Sequence, residues 1–172
     1  MTEPTKISAA QFFARSLAIE QEAIQRYADL AEQMETHNNP ELADLFRKLE
    51  TIEGKHAANI KARAGDIELP KVSPLAYRWP DNEPPEIVPH QDVHYLMTPH
   101  HALKLALEGE ERAVAYFDEL AKVAENEDVR ALATEFADEE REHVRLMQDW
   151  LGKFPEPEQD WDEDLDPPAI QE

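Results

Sequence analysis

The sequence contains no cysteine and only 4 glycines among its 172 residues. Without thiols the chain cannot form a disulfide, a zinc–thiolate site or an iron–sulfur cluster, and it has no thiol nucleophile. Because glycine is scarce and long stretches also lack proline, helix is favoured over sheet. Most of the 13 prolines fall in residues 70–99 and 155–168, so we do not expect those stretches to be helical.

Positive charge and long apolar runs are also scarce. The chain has 17 basic and 38 acidic residues, which gives a formal net charge of −21. Nucleic acid and anionic membranes are therefore poor partners, since both require a basic surface. No stretch approaches the roughly 20 apolar residues of a membrane span, and the N-terminus has no apolar run of signal-peptide length. We predict a cytoplasmic protein whose acidic surface serves solubility and attracts cations.

Four segments show apolar residues at every third or fourth position, which is the pattern of amphipathic helices. Helix 1 is predicted over residues 9–37, after a capping box formed by Ser8 and Gln11. Helix 2 runs from an Asn-Pro pair at 39–40 to Gly65, and helix 3 starts at a Thr-Pro pair at 98–99. Helix 4 is predicted over residues 126–152. The predicted fold class is therefore all-α, a four-helix bundle made of two helical hairpins.

A long Pro-rich crossover, residues 66–97, is predicted to join the two hairpins. Such a long connection is unusual in a compact domain, so we expect it to pack along the bundle by its aromatic residues Tyr77, Trp79 and Tyr95. We expect this crossover to let helix 3 start at the same end of the bundle as helix 1. Residues 1–154 then form a single bundle domain, and residues 155–172 form an acidic, mobile tail.

Each apolar stripe is interrupted near its middle by ionisable residues. Helices 2 and 4 each carry a Glu-x-x-His motif, and both motifs end 17 residues after the Asn of the helix start. Residues three apart share one face of a helix, so these side chains point toward the bundle axis. The interior set is Glu20, Glu53, His56, Glu110, Glu140 and His143.

Four buried carboxylates repel one another unless they are protonated or neutralised by cations. Two divalent ions would balance their four negative charges. Carboxylate and imidazole ligands suit iron, manganese or zinc, and one Glu per helix with two Glu-x-x-His motifs is the ligand set of dinuclear carboxylate bundles. We predict two metal ions at this site, with iron favoured and manganese or zinc as alternatives.

Other ionisable residues have simpler interpretations. A single Glu-x-x-His on an acidic helix would be interpreted as a pair of surface residues. It is the presence of two such motifs that argues for a dinuclear metal site. Glu50 is a weaker alternative ligand, while Tyr27 is either a core aromatic or a group that hydrogen-bonds a ligand or carries an electron near the metals. Several glutamates are predicted to be solvated, namely Glu22, Glu108, Glu111, Glu139 and Glu142. The histidines near the end of the crossover are predicted to be surface or structural residues, namely His90, His94, His100 and His101.

Through the segments AIEQEAIQRYADLA, ETIEGKH, ALEGEERAVAYFDELA and ADEEREH, the chain resembles the rubrerythrin-like branch of the ferritin-like superfamily. The resemblance covers most of residues 9–151. It implies that Glu20 and Glu110 are terminal carboxylate ligands, that Glu53 and Glu140 are bridging ligands, and that the two histidines are terminal ligands. It also implies a di-iron protein that reacts with peroxide or dioxygen and forms a homodimer.

Two departures from rubrerythrins bear on function. The sequence has no four-cysteine rubredoxin centre, so a peroxidase of this kind needs an external electron donor. Rubrerythrins carry an extra glutamate three residues after the helix-3 ligand, where this chain has Ala113, which leaves six ligands, as in ferritin-type oxidase centres. Our leading hypothesis is a di-iron oxidoreductase. The rivals are an iron-binding or storage protein with a ferroxidase site and a structural metal-binding bundle without catalysis.

Overall fold

The computed structural model describes residues 6–72, 98–154 and 156. The regular elements in these residues are helices, with α1 at Ala9–Thr36, α2 at Pro40–Ala64, α3 at Pro99–Val123 and α4 at Glu127–Leu151. The all-α prediction is confirmed, and the helix ends agree with those predicted to within a residue. Residues 73–97 of the predicted crossover, including His90 and His94, lie outside the described residues, as does the tail apart from Glu156.

The helices begin and end where local chemistry requires. At the start of α1, the Ser8 side chain accepts the backbone N–H of Gln11 at 3.1 Å, and the Gln11 side chain accepts the backbone N–H of Ser8 at 2.9 Å. Asn39 caps α2 by accepting the backbone N–H of Leu42. At the other end of α2, Gly65 has a φ of +54°, a left-handed conformation that favours glycine.

Two apolar clusters fill the interior. We call them the upper and lower clusters. The upper cluster consists of Ala23, Tyr27, Leu30, Ala31, Met34, Leu42, Ala43, Leu45, Phe46, Leu49, Ala102, Leu103, Ala106 and Met147. The lower cluster consists of Ile7, Phe12, Phe13, Ile19, Ile60, Ala64, Phe117, Leu120, Ala124, Val129, Ala133, Phe136 and Ala137. All four helices contribute to both clusters, so the two hairpins α1–α2 and α3–α4 share one core.

The order of these residues along each helix gives the helix directions. α1 and α4 run from the lower to the upper cluster, whereas α2 and α3 run from the upper to the lower one. The prediction that α3 starts at the same end as α1 is therefore wrong. α2 ends at the lower cluster and α3 begins at the upper one, so α3 is parallel to α2. A short loop would have given the predicted arrangement.

No helix among the described residues has both the length and the apolar character that a membrane crossing requires.

Candidate metal centre

The six interior residues predicted from sequence meet at one level of the bundle, between the two apolar clusters. In every helix the ionisable residues follow members of one cluster and precede members of the other. The burial is close to complete: Glu20, Glu53 and Glu140 are 0% exposed and Glu110 is 1% exposed. The apolar clusters above and below therefore shield the carboxylates from water.

One half of the site is built around His56. Its Nδ1 atom lies 2.7 Å from Oε1 of Glu20 and 3.1 Å from Oε1 of Glu140. These three residues come from α2, α1 and α4, so the contact joins the two hairpins. The His56 side chain is 4% exposed, which means that the imidazole belongs to the interior.

The other half of the site repeats this arrangement around His143. Its Nδ1 atom lies 3.1 Å from Oε2 of Glu140 and 3.5 Å from Oε2 of Glu110. The two imidazole rings are 5.2 Å apart between centroids. The two oxygens of Glu140 thus face different histidines, while Glu20 and Glu110 each serve one.

Glu53 is the glutamate of the Glu-x-x-His motif on α2, as Glu140 is on α4. One of its carboxylate oxygens lies within 4.8 Å of a ring nitrogen of His56 and of His143. The described residues contain three groups whose ligand atoms all lie within that distance of one another. They are Glu53–His56–His143, Glu20–His56–Glu140 and Glu110–Glu140–His143.

The electrostatics of the site favour cations. Both oxygens of Glu20, Glu110 and Glu140 are buried, and within the described part of the chain no hydrogen bond of acceptable geometry reaches them. The same is true of the Nδ1 atoms of His56 and His143. Leaving such groups unsatisfied is costly, whereas metal ions among them would satisfy every atom at once. The donor set, all oxygen and imidazole nitrogen, suits iron, manganese or zinc.

The pKa values of these residues reflect two opposed effects, burial and the charges of the neighbouring side chains. Burial raises the pKa of Glu110 to about 7, and burial raises the pKa of Glu20 as well. Burial lowers the pKa of His56, but contacts with Glu139, Glu20 and Glu140 outweigh it and raise the pKa to about 11. Burial likewise opposes protonation of His143, yet Glu110 and Glu140 raise its pKa to about 10. Without metal, the imidazoles hold protons that partly neutralise the carboxylates.

Glu139 is the residue beside the site that the sequence analysis missed. We predicted a solvated glutamate, but its side chain is only 27% exposed, and its Oε2 accepts a hydrogen bond from Nε2 of His56 at 3.0 Å. Its other oxygen accepts from Asn59 at 3.3 Å and lies 3.6 Å from Arg63. The prediction failed because it placed Glu139 by its position on α4 alone. These partners are all on α2, and only the packing of α4 beside α2 brings them together.

The remaining candidates have simpler positions. Tyr27 is fully buried in the upper cluster, where its ring stacks on Phe46 with centroids 6.1 Å apart, as expected of a core aromatic; a role in catalysis stays a prediction. Glu50 pairs with Arg47 at 3.0 Å and belongs to none of the three groups. His100 donates through Nδ1 to the carbonyl oxygen of Phe154, which is the structural role predicted for it.

The other glutamates divide by exposure. As predicted, Glu108, Glu111 and Glu142 are exposed. Glu22 is half-buried instead, and burial raises the pKa of its carboxyl. His101 lies at the start of α3, where its Nδ1 contacts the hydroxyl of Thr98 at 2.7 Å.

Comparison with known proteins adds two findings. The family model described as rubrerythrin matches residues 11–94 and 101–167. The crystal structure of an uncharacterised conserved protein from Magnetospirillum magnetotacticum MS-1 matches with a TM-score of 0.67 and 41% sequence identity, covering 88% of this chain and 99% of that chain. A search of curated proteins finds no significant match.

Proposed function

The chain belongs to the rubrerythrin family, and we propose that it is a di-iron oxidoreductase that oxidises a pair of ferrous ions with peroxide or dioxygen. One observation carries the proposal. Glu140 directs its two buried oxygens at two different histidines, and each histidine has a further carboxylate of its own. A single metal ion would leave half of this donor set unsatisfied, whereas two divalent ions balance four carboxylates.

The contacts suggest how the ligands divide. Glu20 and His56 would hold one ion, and Glu110 and His143 the other. Glu53 and Glu140 would lie between the ions, since each is close to both histidines. This division agrees with the terminal and bridging roles that the family resemblance implies.

The chain's own residues supply binding, shielding and charge balance. With two divalent ions bound, the four carboxylates would bring the total charge of the site near zero, which would lower the cost of placing cations in an apolar interior. Phe136 of the lower cluster packs against the His56 ring, with centroids 6.0 Å apart, and so gives that side of the ring an apolar neighbour. The acidic surface raises the local concentration of cations around the molecule.

The proposed reaction requires an external electron donor to balance its electrons over a full turnover. Two ferrous ions held by these residues would make two electrons available, which with two protons is enough to reduce one peroxide to two waters or one dioxygen to peroxide. A separate reductant must return the two electrons before the next turnover, because this sequence has no cysteine for a rubredoxin-type centre. We therefore propose an external electron donor as a partner of the peroxidase reaction.

Ala113 supports a second candidate, a ferroxidase-type iron-binding protein. This residue is fully buried one turn after Glu110, at the position where rubrerythrins carry an extra glutamate. With six ligands instead of seven, the site matches ferritin-type oxidase centres, for which ferrous iron is the substrate. Autonomous storage would also require a shell of many copies. Sedimentation of the full chain tests this alternative, and a particle of one or two chains would rule out a shell.

Anaerobic loading with ferrous ion, followed by stopped-flow mixing with peroxide or with dioxygen, tests the proposal. We expect two ferrous ions per chain and an absorbance increase from ferric ions that is faster than in a Glu140→Ala variant. A Glu142→Ala variant is the matched control, because it removes an exposed carboxylate from the same helix. Protein that takes up no ferrous ion, or whose bound ions react with neither oxidant, would overturn the proposal.

A further inference from the structure

The two histidines of the site differ in their surroundings. The His56 side chain is 4% exposed and that of His143 is 16% exposed. Each ring presents its Nδ1 atom to the carboxylates of the centre. The difference lies on the opposite side of the rings, at Nε2.

On the His56 side, Nε2 donates to Glu139, and Glu139 is itself held in place. Asn59 donates to its Oε1, and the guanidinium of Arg63 lies 3.6 Å from the same oxygen. Arg63 also pairs with Glu135 and lies over the ring of Phe136, which fixes its own position. The carboxylate that faces His56 is therefore also contacted, on its other oxygen, by two side chains of α2.

Among the described residues, the Glu-x-x-His motif of α2 offers no such partner to His143. Glu53 and Glu140 occupy matching places in the two motifs, so the residue that matches Glu139 is Ile52. Ile52 packs against the upper apolar cluster and cannot accept a hydrogen bond. The two halves of the site therefore have matching candidate ligands, but the residue that matches Glu139 in the other half is an isoleucine.

We propose that Glu139 is a positioning residue that makes the metal position at His56 tighter than that at His143, so that the two positions fill in sequence. This proposal rests on the proposed two-metal function. A carboxylate that accepts the Nε2–H of an imidazole keeps the proton on that nitrogen, orients the ring and makes the other nitrogen a better donor to metal. In the part of the chain that the structure describes, His143 has Ile52 in place of that carboxylate and is more exposed, so an ion beside it would exchange more readily with solvent.

Calorimetric titration of the full chain with Co²⁺ tests this proposal in the wild type and in Glu139→Ala and Glu139→Gln variants. We expect two binding steps in the wild type. Glu139→Ala should weaken the tighter step by roughly 10–100-fold and leave the weaker step nearly unchanged. Glu139→Gln keeps an oxygen that can accept the hydrogen bond but lacks the charge, so its loss should be intermediate. Glu142→Ala, which removes an exposed glutamate of the same helix, should titrate like the wild type.

Proton NMR of the Co²⁺-loaded protein gives a readout that a general loss of stability would not produce. In the wild type we expect one slowly exchanging, strongly shifted imidazole N–H, from His56, and its loss in Glu139→Ala while the helical circular dichroism is retained. A Glu139→Ala variant with both steps at wild-type affinity, or with both weakened equally, would overturn the inference. A wild type that binds no metal would instead refute the proposed function.

Discussion

Glu140 contacts both histidines of the centre, one through each carboxylate oxygen at 3.1 Å. Of these two histidines, Glu20 contacts only His56, through Oε1 at 2.7 Å. The two glutamates are equally buried, so removing either one deletes a buried carboxylate. Any difference between the two variants then reports on which histidines each glutamate contacts. Replacing either one also removes charge repulsion from the metal-free interior.

We predict that Glu140→Ala loses most of both bound metal ions, whereas Glu20→Ala loses mainly one. The reason is that Glu140 would contribute to both metal positions and Glu20 to one. Metal analysis after dialysis against a weak chelator measures the retained ions, and circular dichroism checks that the variants stay helical. Glu53→Ala should behave like Glu140→Ala. Full retention of metal by both Glu53→Ala and Glu140→Ala would show that the site lies elsewhere.

The protonation of the site predicts a pH dependence of metal binding. At neutral pH the metal-free protein holds protons on both histidines, whose pKa values are about 11 for His56 and about 10 for His143. Metal binding must displace those protons, so affinity should rise with pH. The expected increase is about tenfold per pH unit for each proton released, between about pH 6 and about pH 8. Calorimetry with Mn²⁺ in buffers of different ionisation enthalpy measures the released protons; binding without proton release would contradict this account.

The same pKa values predict how the stability of the metal-free protein depends on pH. A histidine with a raised pKa stabilises the fold below its unfolded value of about 6.5, and this contribution is lost as the pH rises toward about 10. The raised pKa of Glu110 acts in the same direction, because its ionisation in the interior costs stability as the pH rises through about 7. Thermal unfolding of metal-free protein should therefore occur at a lower temperature at alkaline pH than near pH 6. An unchanged or higher unfolding temperature would contradict the protonation scheme.

At the level of elements, the helix caps stabilise the helices that carry the ligands but do not touch the ligands. Asn126 accepts the backbone N–H groups of Asp128 and Val129 at the start of α4, which carries both Glu140 and His143. The cap lies more than three helical turns before Glu140, too far to affect the site directly.

We predict that Asn126→Ala lowers stability by about 1 kcal/mol, which corresponds to about 2–4 °C in the unfolding temperature, while metal content is unchanged. The physical reason is the loss of an acceptor for two backbone N–H groups that the helix itself cannot satisfy. Differential scanning calorimetry and metal analysis on the same samples measure both quantities. Asn126→Asp retains an acceptor and serves as the control. Loss of metal in Asn126→Ala would show that the start of α4 and the site are coupled.

The helix ends and the six interior residues were predictable because their signals are local. Asn or Thr before proline sets a helix start, and a charged residue within an apolar stripe is visible from periodicity alone. The direction of α3 was not predictable from its stripe, which is the same whichever end of the bundle the helix starts from. The role of Glu139 depends on α4 packing beside α2, and neither its spacing nor its neighbours distinguish it from Glu142.

At the level of the whole molecule, the site lies between two apolar clusters that both hairpins share. Bound metal would therefore connect all four helices at mid-height, where the metal-free protein holds closely spaced carboxylates. A ligand that binds only the folded state stabilises that state by mass action.

We predict that saturating Mn²⁺ or Zn²⁺ stabilises the protein by about 2.7 kcal/mol for each site at a free concentration of about 100 times its Kd. For a chain of this size, each site then adds about 5–10 °C to the unfolding temperature. Calorimetry with and without metal measures the shift. A Glu53→Ala, Glu140→Ala double variant is the control and should show little response. Equal unfolding temperatures for the wild type with and without metal would mean that the interior binds no ions.

The central claim is that the buried glutamates and histidines hold two metal ions at one level of the bundle. Anomalous diffraction at the iron edge, from crystals loaded anaerobically with ferrous ion, tests it most directly. We predict two peaks per chain between Glu53 and Glu140, one beside His56 and one beside His143. A single peak, peaks only at the acidic surface, or no peak in fully loaded crystals would contradict the account.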